Sequence, residues 1–416
     1  MPLPLPVRLL NGQTVLVRTR LAFGLICLLL SMHAALADEP AAAPPTVNLT
    51  SGCVERYDPA IDYFPEKATL VDAKGFTLQY FKHYKLLTVT APWPEAKERF
   101  RYVLVQCGTP VPKNVGDAHV IEVPIRSVAV LSTTHLPHLE LLGALDRLVA
   151  VSSFDNVYSP AVRQSIDAGK VAEIGRGPSV NLEAVLDLQP DLVTAVGRDQ
   201  PQYNTHPLLQ NAGIHVAIIA EYVEPTLLGR SEWLKFTAAF LNLDGLAQRR
   251  FAAMAARYAS FAAMTRDLPA ARKPTVFGGM MYRDVWYVPG GESYIAQWVA
   301  DAGGVYLWAD DRHRASLSLS FETVFERASS ADFWFTNDLD GSTRVDILAA
   351  NERYGAFKAF RDGRVYDSNA RLNAHKANDY WESGVVEPDV VLADMIKILH
   401  RDLLPDHLLK YYRRLP

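Results

Sequence analysis

The side chains best suited to chemistry fall just beyond runs expected to be strands. They are aromatic or cationic: His135, Phe154, Arg176, Arg198, Tyr222, Tyr282, Trp286, Tyr380 and Trp381. In open parallel sheets, ligands sit beyond the carboxyl ends of the strands. Arginine pairs bidentately with carboxylate-type oxygens and aromatic faces cover flat surface, so the group suits a large, partly apolar, anionic ligand. Any single member could serve ordinary packing or solvation; the inference rests on the group. His135 and His138 stand three apart near a helix start and could aim two imidazoles at a metal. No third His or acid stands at recognisable spacing, so no metal site is expected. The chain has no G-x-x-x-x-G-K-[ST] loop and no G-x-S-x-G elbow. Gly175-Arg176-Gly177 begins a dinucleotide fingerprint, but Val180 occupies the place of its third glycine. No catalytic constellation is visible, and the chain is not expected to be an enzyme.

The elements that must position these residues alternate regularly from Ser127. Val128–Leu131, Leu148–Val151, Val171–Ile174, Leu192–Val196 and His215–Ala220 read as strands separated by helices, which implies crossovers and a parallel sheet. Asp244 to Arg266 reads as one long helix, with Asp244 as its N-cap. Ala247, Phe251, Met254, Tyr258 and Phe261 lie at steps of 4, 3, 4 and 3 on one face. Roughly 23 residues at about 1.5 Å each make a rod of roughly 35 Å. After it the rhythm resumes, with strands at Thr275–Phe277, Phe333–Thr336 and Arg364–Tyr366 and a last helix near Pro388–His400. Asn181-Leu182-Glu183 with Asp191 is echoed by Ser320-Phe321-Glu322 with Asp332. Each copy is a capping residue, an acid in the first helical turn and an aspartate opening a strand. Helix capping performed twice would explain this, and so would two related lobes.

The chain has 416 residues, 49% of them hydrophobic and 21% charged, ample for two domains with sizeable cores. In residues 1–37, Arg18 and Arg20 precede the apolar run Leu21–Leu30, and Ala35-Leu36-Ala37 supplies a small-x-small cleavage site. That is a cleaved secretory signal, too short to span a bilayer. Cys27 follows Leu25-Ile26 rather than small residues, so a free periplasmic protein without a lipid anchor is expected. Losing that segment's three arginines moves the formal charge from −4 to −7, which argues against nucleic acid. Residues 38–50 read as a disordered lead-in. Residues 51–124 read as a β-rich extension, with a hairpin from Phe76 to Val89, that adds to a sheet edge of the first lobe. Residues 125–243 form that αβ lobe, 244–266 the rod and 267–416 the other lobe. Cys53 and Cys107 remain as a disulfide or as two buried thiols.

From Ser127 to His400 the chain resembles periplasmic substrate-binding proteins of ABC importers for iron–siderophore complexes, haem and cobalamin. The resemblance rests on Thr133-Thr134-His135 leading into Glu140-Leu141-Leu142-Gly143, on Asn181-Leu182-Glu183 with Gln189-Pro190-Asp191-Leu192-Val193, on the single rod helix and on Ser320-Phe321-Glu322. It implies a class III fold of two αβ lobes with parallel sheets, bridged by the rod and holding ligand between them. The carried ligand is then a metal chelate, with a ferric siderophore preferred to haem or cobalamin and no resident cofactor. Thr134 joins the ligand set, and His135 is the only residue nominated as an axial haem ligand. Glu183 and Glu322 match acids that dock, one per lobe, onto a two-fold permease. The receptor would act as a monomer that does not insert in the membrane. Two other readings stay open: a free transition-metal ion receptor using His135, His138 and cleft acids, and a secreted enzyme on the same scaffold.

Overall fold

A computed structural model describes residues 44–176, 179–336 and 343–416. The expected signal segment and Gly177-Pro178 lie outside the described residues. From Pro44 the chain is placed, which corrects the disordered lead-in over 44–50. Asn48 is buried there, donating to the Glu66 carbonyl at 2.8 Å and to Asp244 at 3.1 Å.

The β-rich extension forms a sheet of its own: β1 (Phe76–Tyr80), β2 (Tyr84–Val89), β3 (Phe100–Gln106) and β4 (His119–Val123), in that order. The first three strands are antiparallel neighbours and the last pairing is parallel. Contrary to the expectation from sequence, it does not extend the edge of the next sheet. Among the described residues that edge receives one hydrogen bond from the extension, Ile218 N–H to the Tyr102 hydroxyl at 2.9 Å, and Phe100 packs against its core. Apolar residues on its inner face (Phe76, Leu87, Tyr102, Ile121) instead join the N-terminal lobe's core through helix Leu234–Leu241, every residue of which is buried. Two carboxylates fasten the loop before β1. Glu232 accepts from the amides of Val71, Asp72 and Ala73, and Glu224 from those of Lys74 and Gly75. A Cβ on Gly75 would come within 2.9 Å of both Glu224 and Trp233, so only glycine fits beneath that clamp. Cys53 and Cys107 are joined by a disulfide, Cα–Cα 4.6 Å.

The N-terminal lobe carries β5 (Val128–Val130), β6 (Leu148–Val151), β7 (Ala172–Glu173), β8 (Leu192–Ala195) and β9 (Val216–Ile218), ordered β7-β6-β5-β8-β9 and all parallel. Strands such as Val128-Ala129-Val130, buried on every residue, have the continuous apolar run that a sheet covered on both faces requires. The C-terminal lobe carries β10 (Thr275–Gly278), β13 (Val305–Tyr306), β15 (Phe333–Thr336), β16 (Val365–Asp367) and β17 (Arg413–Arg414), ordered β13-β10-β15-β16-β17, with only β17 antiparallel. A separate antiparallel sheet of β11 (Met281–Tyr282), β12 (Val285–Pro289) and β14 (Ser316–Leu319) packs on it.

The long helix spans Asp244–Arg266. Ala247, Phe251 and Met254 sit in the N-terminal core, Tyr258 in the C-terminal core, and half-buried Phe261 packs against the latter. Burying Phe251 or Met254 contributes about 1.5–3 kcal/mol each. Asp244 is not the cap. Its side chain points inward, fully buried, to Lys85 Nζ at 2.8 Å and the Tyr80 hydroxyl at 2.7 Å. The chain is thus a mixed α/β protein of two parallel-sheet lobes that share one helix.

Candidate functional site

A cleft of about 840 Å³ opens between the lobes. Its N-terminal wall consists of the turns leaving the carboxyl ends of β5 (Leu131–Thr133), β6 (Ser152, Asp155, Asn156), β7 (Arg176, Ser179) and β8 (Ala195, Val196, Arg198). Facing them is the C-terminal lobe's segment 375–378 with Trp381. The short crossovers leave these turns exposed at one edge, which is why ligand-competent side chains gather there. Most of the lining is hydroxyl, amide or charge, with Tyr203 and Trp381 as its aromatic surfaces. Arg176, Arg198 and Lys376 outweigh Asp155, so a cation-rich cleft sits on a chain whose formal charge is −4. Arg176 and Arg198 are exposed and, among the described residues, have no carboxylate partner.

Local structure fixes both arginines. Gly175 has φ +74° and a Cβ there would meet the Ser179 carbonyl at 2.1 Å, so the turn under Arg176 closes only on glycine. Asn204 clamps the Arg198 loop, accepting from the Arg198 amide at 2.8 Å and donating to its carbonyl at 2.7 Å. Trp93 of the extension packs under Gly197, where a Cβ would lie 2.8 Å from its ring. The Tyr222 hydroxyl donates to the Gly197 carbonyl at 2.8 Å. The extension therefore braces the cleft.

Of the residues singled out by sequence, Arg176, Arg198 and Trp381 line the cleft. Tyr222 holds the Arg198 loop, and buried Tyr380 supports Trp381 edge-on with centroids 4.9 Å apart. Phe154 is half-buried beside the lining residues Asp155 and Asn156, its amide donating to Glu173 at 2.6 Å. Thr134 lies next to lining Thr133 and pairs with Ser132 at 2.8 Å. Three placements need correction. His135 is a core residue whose Nδ1 pairs with the Thr194 hydroxyl at 3.0 Å, and burial drives its pKa down to about 3, so it faces no axial position. Trp286 lies fully buried among Phe277, Phe321 and Trp334, because its register on β12 opposite Leu319 points it inward. Tyr282 is 60% exposed on β11, away from the cleft lining, beside Arg283. Sequence reasoning missed Tyr203, His375, Lys376 and Asn378. The polar run between β16 and Trp381 was the available signal.

Among the described residues His135 and His138 gather no third ligand. His138 is buried on the Thr237 hydroxyl at 2.9 Å, with burial driving its pKa to about 3. Among the described residues the one group with ligand spacing is Cys53, Cys107 and Glu122, whose sulfurs are bonded to each other.

The lobes are latched at the cleft rim. Glu382 accepts from the amides of Tyr158 and Ser159, and Asn373 donates to the Val157 carbonyl at 2.8 Å. Burial pushes the Glu382 pKa up to about 7, against those amide bonds, which lower it. Glu183 and Glu322 are exposed on the first turns of Leu182–Leu188 and Phe321–Ala328, beside the caps Asn181 and Ser320. Arg353 donates to Glu322 at 3.0 Å.

Comparison with known proteins agrees with this architecture. The sequence matches the family model for periplasmic binding proteins over residues 128–372. Two uncharacterised lipoproteins of Methanocaldococcus jannaschii are each 28% identical, one over 76% of this chain and 80% of its own length, the other over 72% of each. In fold the chain is similar to the Helicobacter pylori protein CeuE with Ni(II) bound (TM-score 0.54, 17% identity, 72% of this chain and 91% of that one). It is also similar to a periplasmic haem-binding protein of Pseudomonas aeruginosa (TM-score 0.50, 18% identity, 67% and 94%). The lipoprotein relatives overturn the expectation of a free, unanchored periplasmic protein. That expectation rested on the few residues around Cys27, which lie outside the described residues.

Proposed function

The chain belongs to the periplasmic binding protein family, and from that premise we propose that it is the solute receptor of an ABC importer whose cargo is an anionic, oxygen-rich ferric chelate. The observation that carries this reading is the cleft, where Arg176 and Arg198 face a hydroxyl- and amide-lined space of about 840 Å³ with Trp381 at its side. Pockets of this size hold drug-sized ligands, and guanidinium groups match carboxylate, catecholate or hydroxamate oxygens. Haem suits the cleft less well, since His135 is locked in the core. Cobalamin suits it less well with Trp286 withdrawn. The receptor binds and releases without turnover.

Glu183 and Glu322 are proposed as the permease contacts, one carboxylate per lobe meeting a two-fold partner. The relatives' lipoprotein names support tethering at the membrane, and the Cys53–Cys107 disulfide fits an oxidising compartment. The test is non-denaturing mass spectrometry of the purified protein offered ferric siderophores, haemin and cobalamin together. Retention of a single ferric chelate is expected. Retention of haemin, cobalamin or bare metal alone would replace the reading.

A further inference from the structure

A second concavity, of about 640 Å³, lies on the C-terminal lobe at the amino ends of β10, β15 and β16, the opposite sheet edge from the one feeding the cleft. Arg272, Lys273, Arg364, Arg401 and Arg414 line it, against Asp332 and Asp362. The two acids are already satisfied: Lys358 pairs with Asp332 at 2.9 Å and Asp362 at 3.2 Å, and Asp332 also accepts from the Thr275 amide and hydroxyl. Arg272 pairs with Asp402 at 2.6 Å. Among the described residues Lys273, Arg364 and Arg401 have no carboxylate partner.

The cations converge from separate chain segments onto one floor. Burial raises the Tyr366 phenol above its ordinary range, while the fields of Arg414, Arg364 and Arg401 act on it in the opposite sense. The Arg364 guanidinium lies over the Phe333 ring at 5.4 Å. Arg414 donates from Nε to the Gly363 carbonyl and from Nη2 to the Asp362 carbonyl, which anchors that edge of its fork. Like charges held together in a concavity raise the local concentration of anions. Their donors outnumber what a planar carboxylate accepts, and suit a tetrahedral oxyanion with several acceptor oxygens.

We infer that this groove binds a phosphate-bearing anion, independently of the chelate cleft. The phosphate could belong to a soluble ester or to an acidic lipid headgroup, and the chemistry at the groove is the same. The full chain is titrated with inorganic phosphate at low ionic strength. It is also sedimented with vesicles of phosphatidylglycerol and, separately, of phosphatidylcholine. Saturable phosphate binding is expected, weakened about tenfold or more in Arg364→Gln/Arg401→Gln and falling with added salt. Arg401→Gln alone, at an exposed position, should weaken it less. Sedimentation with phosphatidylglycerol but not phosphatidylcholine would assign the headgroup source; phosphate binding without sedimentation would assign a soluble ester. Chelate affinity and the unfolding midpoint should be unchanged in these variants. The inference is overturned if neither phosphate nor phosphatidylglycerol binds above the phosphatidylcholine background, or if the double variant binds as the parent does.

Discussion

Lys85→Met is the substitution whose cost follows most directly from geometry. The Lys85 ammonium and the Asp244 carboxylate are both fully buried and 2.8 Å apart, and the ammonium also donates to the Ala239 carbonyl at 2.6 Å. Methionine keeps most of the stem's bulk and removes the charge. Asp244 is left with two neutral donors, the Tyr80 hydroxyl at 2.7 Å and the Asn48 amide at 3.1 Å. Stranding one member of a buried pair costs about 3–5 kcal/mol, a large share of a total stability of about 5–15 kcal/mol. Adding Asp244→Leu removes the stranded charge and leaves the Tyr80 hydroxyl without its acceptor, while the Asn48 amide keeps the Glu66 carbonyl at 2.8 Å. Such a loss costs about 1–3 kcal/mol, so the double variant should be more stable than the single. Urea unfolding followed by intrinsic fluorescence reads both. Chelate affinity should not change, because the cleft is built from other elements. A single variant losing under about 1 kcal/mol, or a double variant less stable than the single, would refute the account of this junction.

Three further outcomes are expected. Glu382 holds its proton to about pH 7 when folded, against an ordinary 4.5, so its stabilising share is complete below pH 4.5 and lost as pH rises through 7. Glu382→Gln should flatten the pH dependence of unfolding across that window by up to about 3 kcal/mol; an unchanged slope would remove Glu382 from the latch. Trp93→Ala should weaken chelate binding several-fold by loosening the Arg198 loop, with little change in Arg176 variants' relative effect; isothermal titration decides. Glu183→Ala with Glu322→Ala should leave chelate affinity intact and abolish uptake in cells, and a fall in affinity would speak against a docking role.

The parts of the fold set by local periodicity were legible in the sequence. The stripe from Ala247 to Tyr258 recurs at helical spacing, and its burial follows directly. The apolar runs at Val128 and Leu192 announce buried parallel strands. Distant partners were not legible. Asp244 looks like a cap because nothing nearby in the chain discloses Lys85. The extension looked like an added sheet edge because its alternation says nothing of helix Leu234–Leu241, the surface it covers. In the site, the arginines were found because charge after a strand marks exposure. Aromatic residues carry no such mark: Trp286 stands on β12 while Trp381 lies in the segment after β16, and only the β12–β14 pairing sends one into the core. His135 was misplaced for the same reason, since its Thr194 partner lies on a neighbouring strand.

The central claim is that Arg176 and Arg198 hold an anionic ferric chelate in the cleft between the lobes. It is tested most directly by titrating the retained chelate into the parent chain and into Arg176→Gln/Arg198→Gln, with tryptophan fluorescence as the readout. Each charge-assisted contact contributes about 1.5–3 kcal/mol, so the double variant should bind at least a hundredfold more weakly, with an unchanged unfolding midpoint. Undiminished affinity in that variant would contradict the claim.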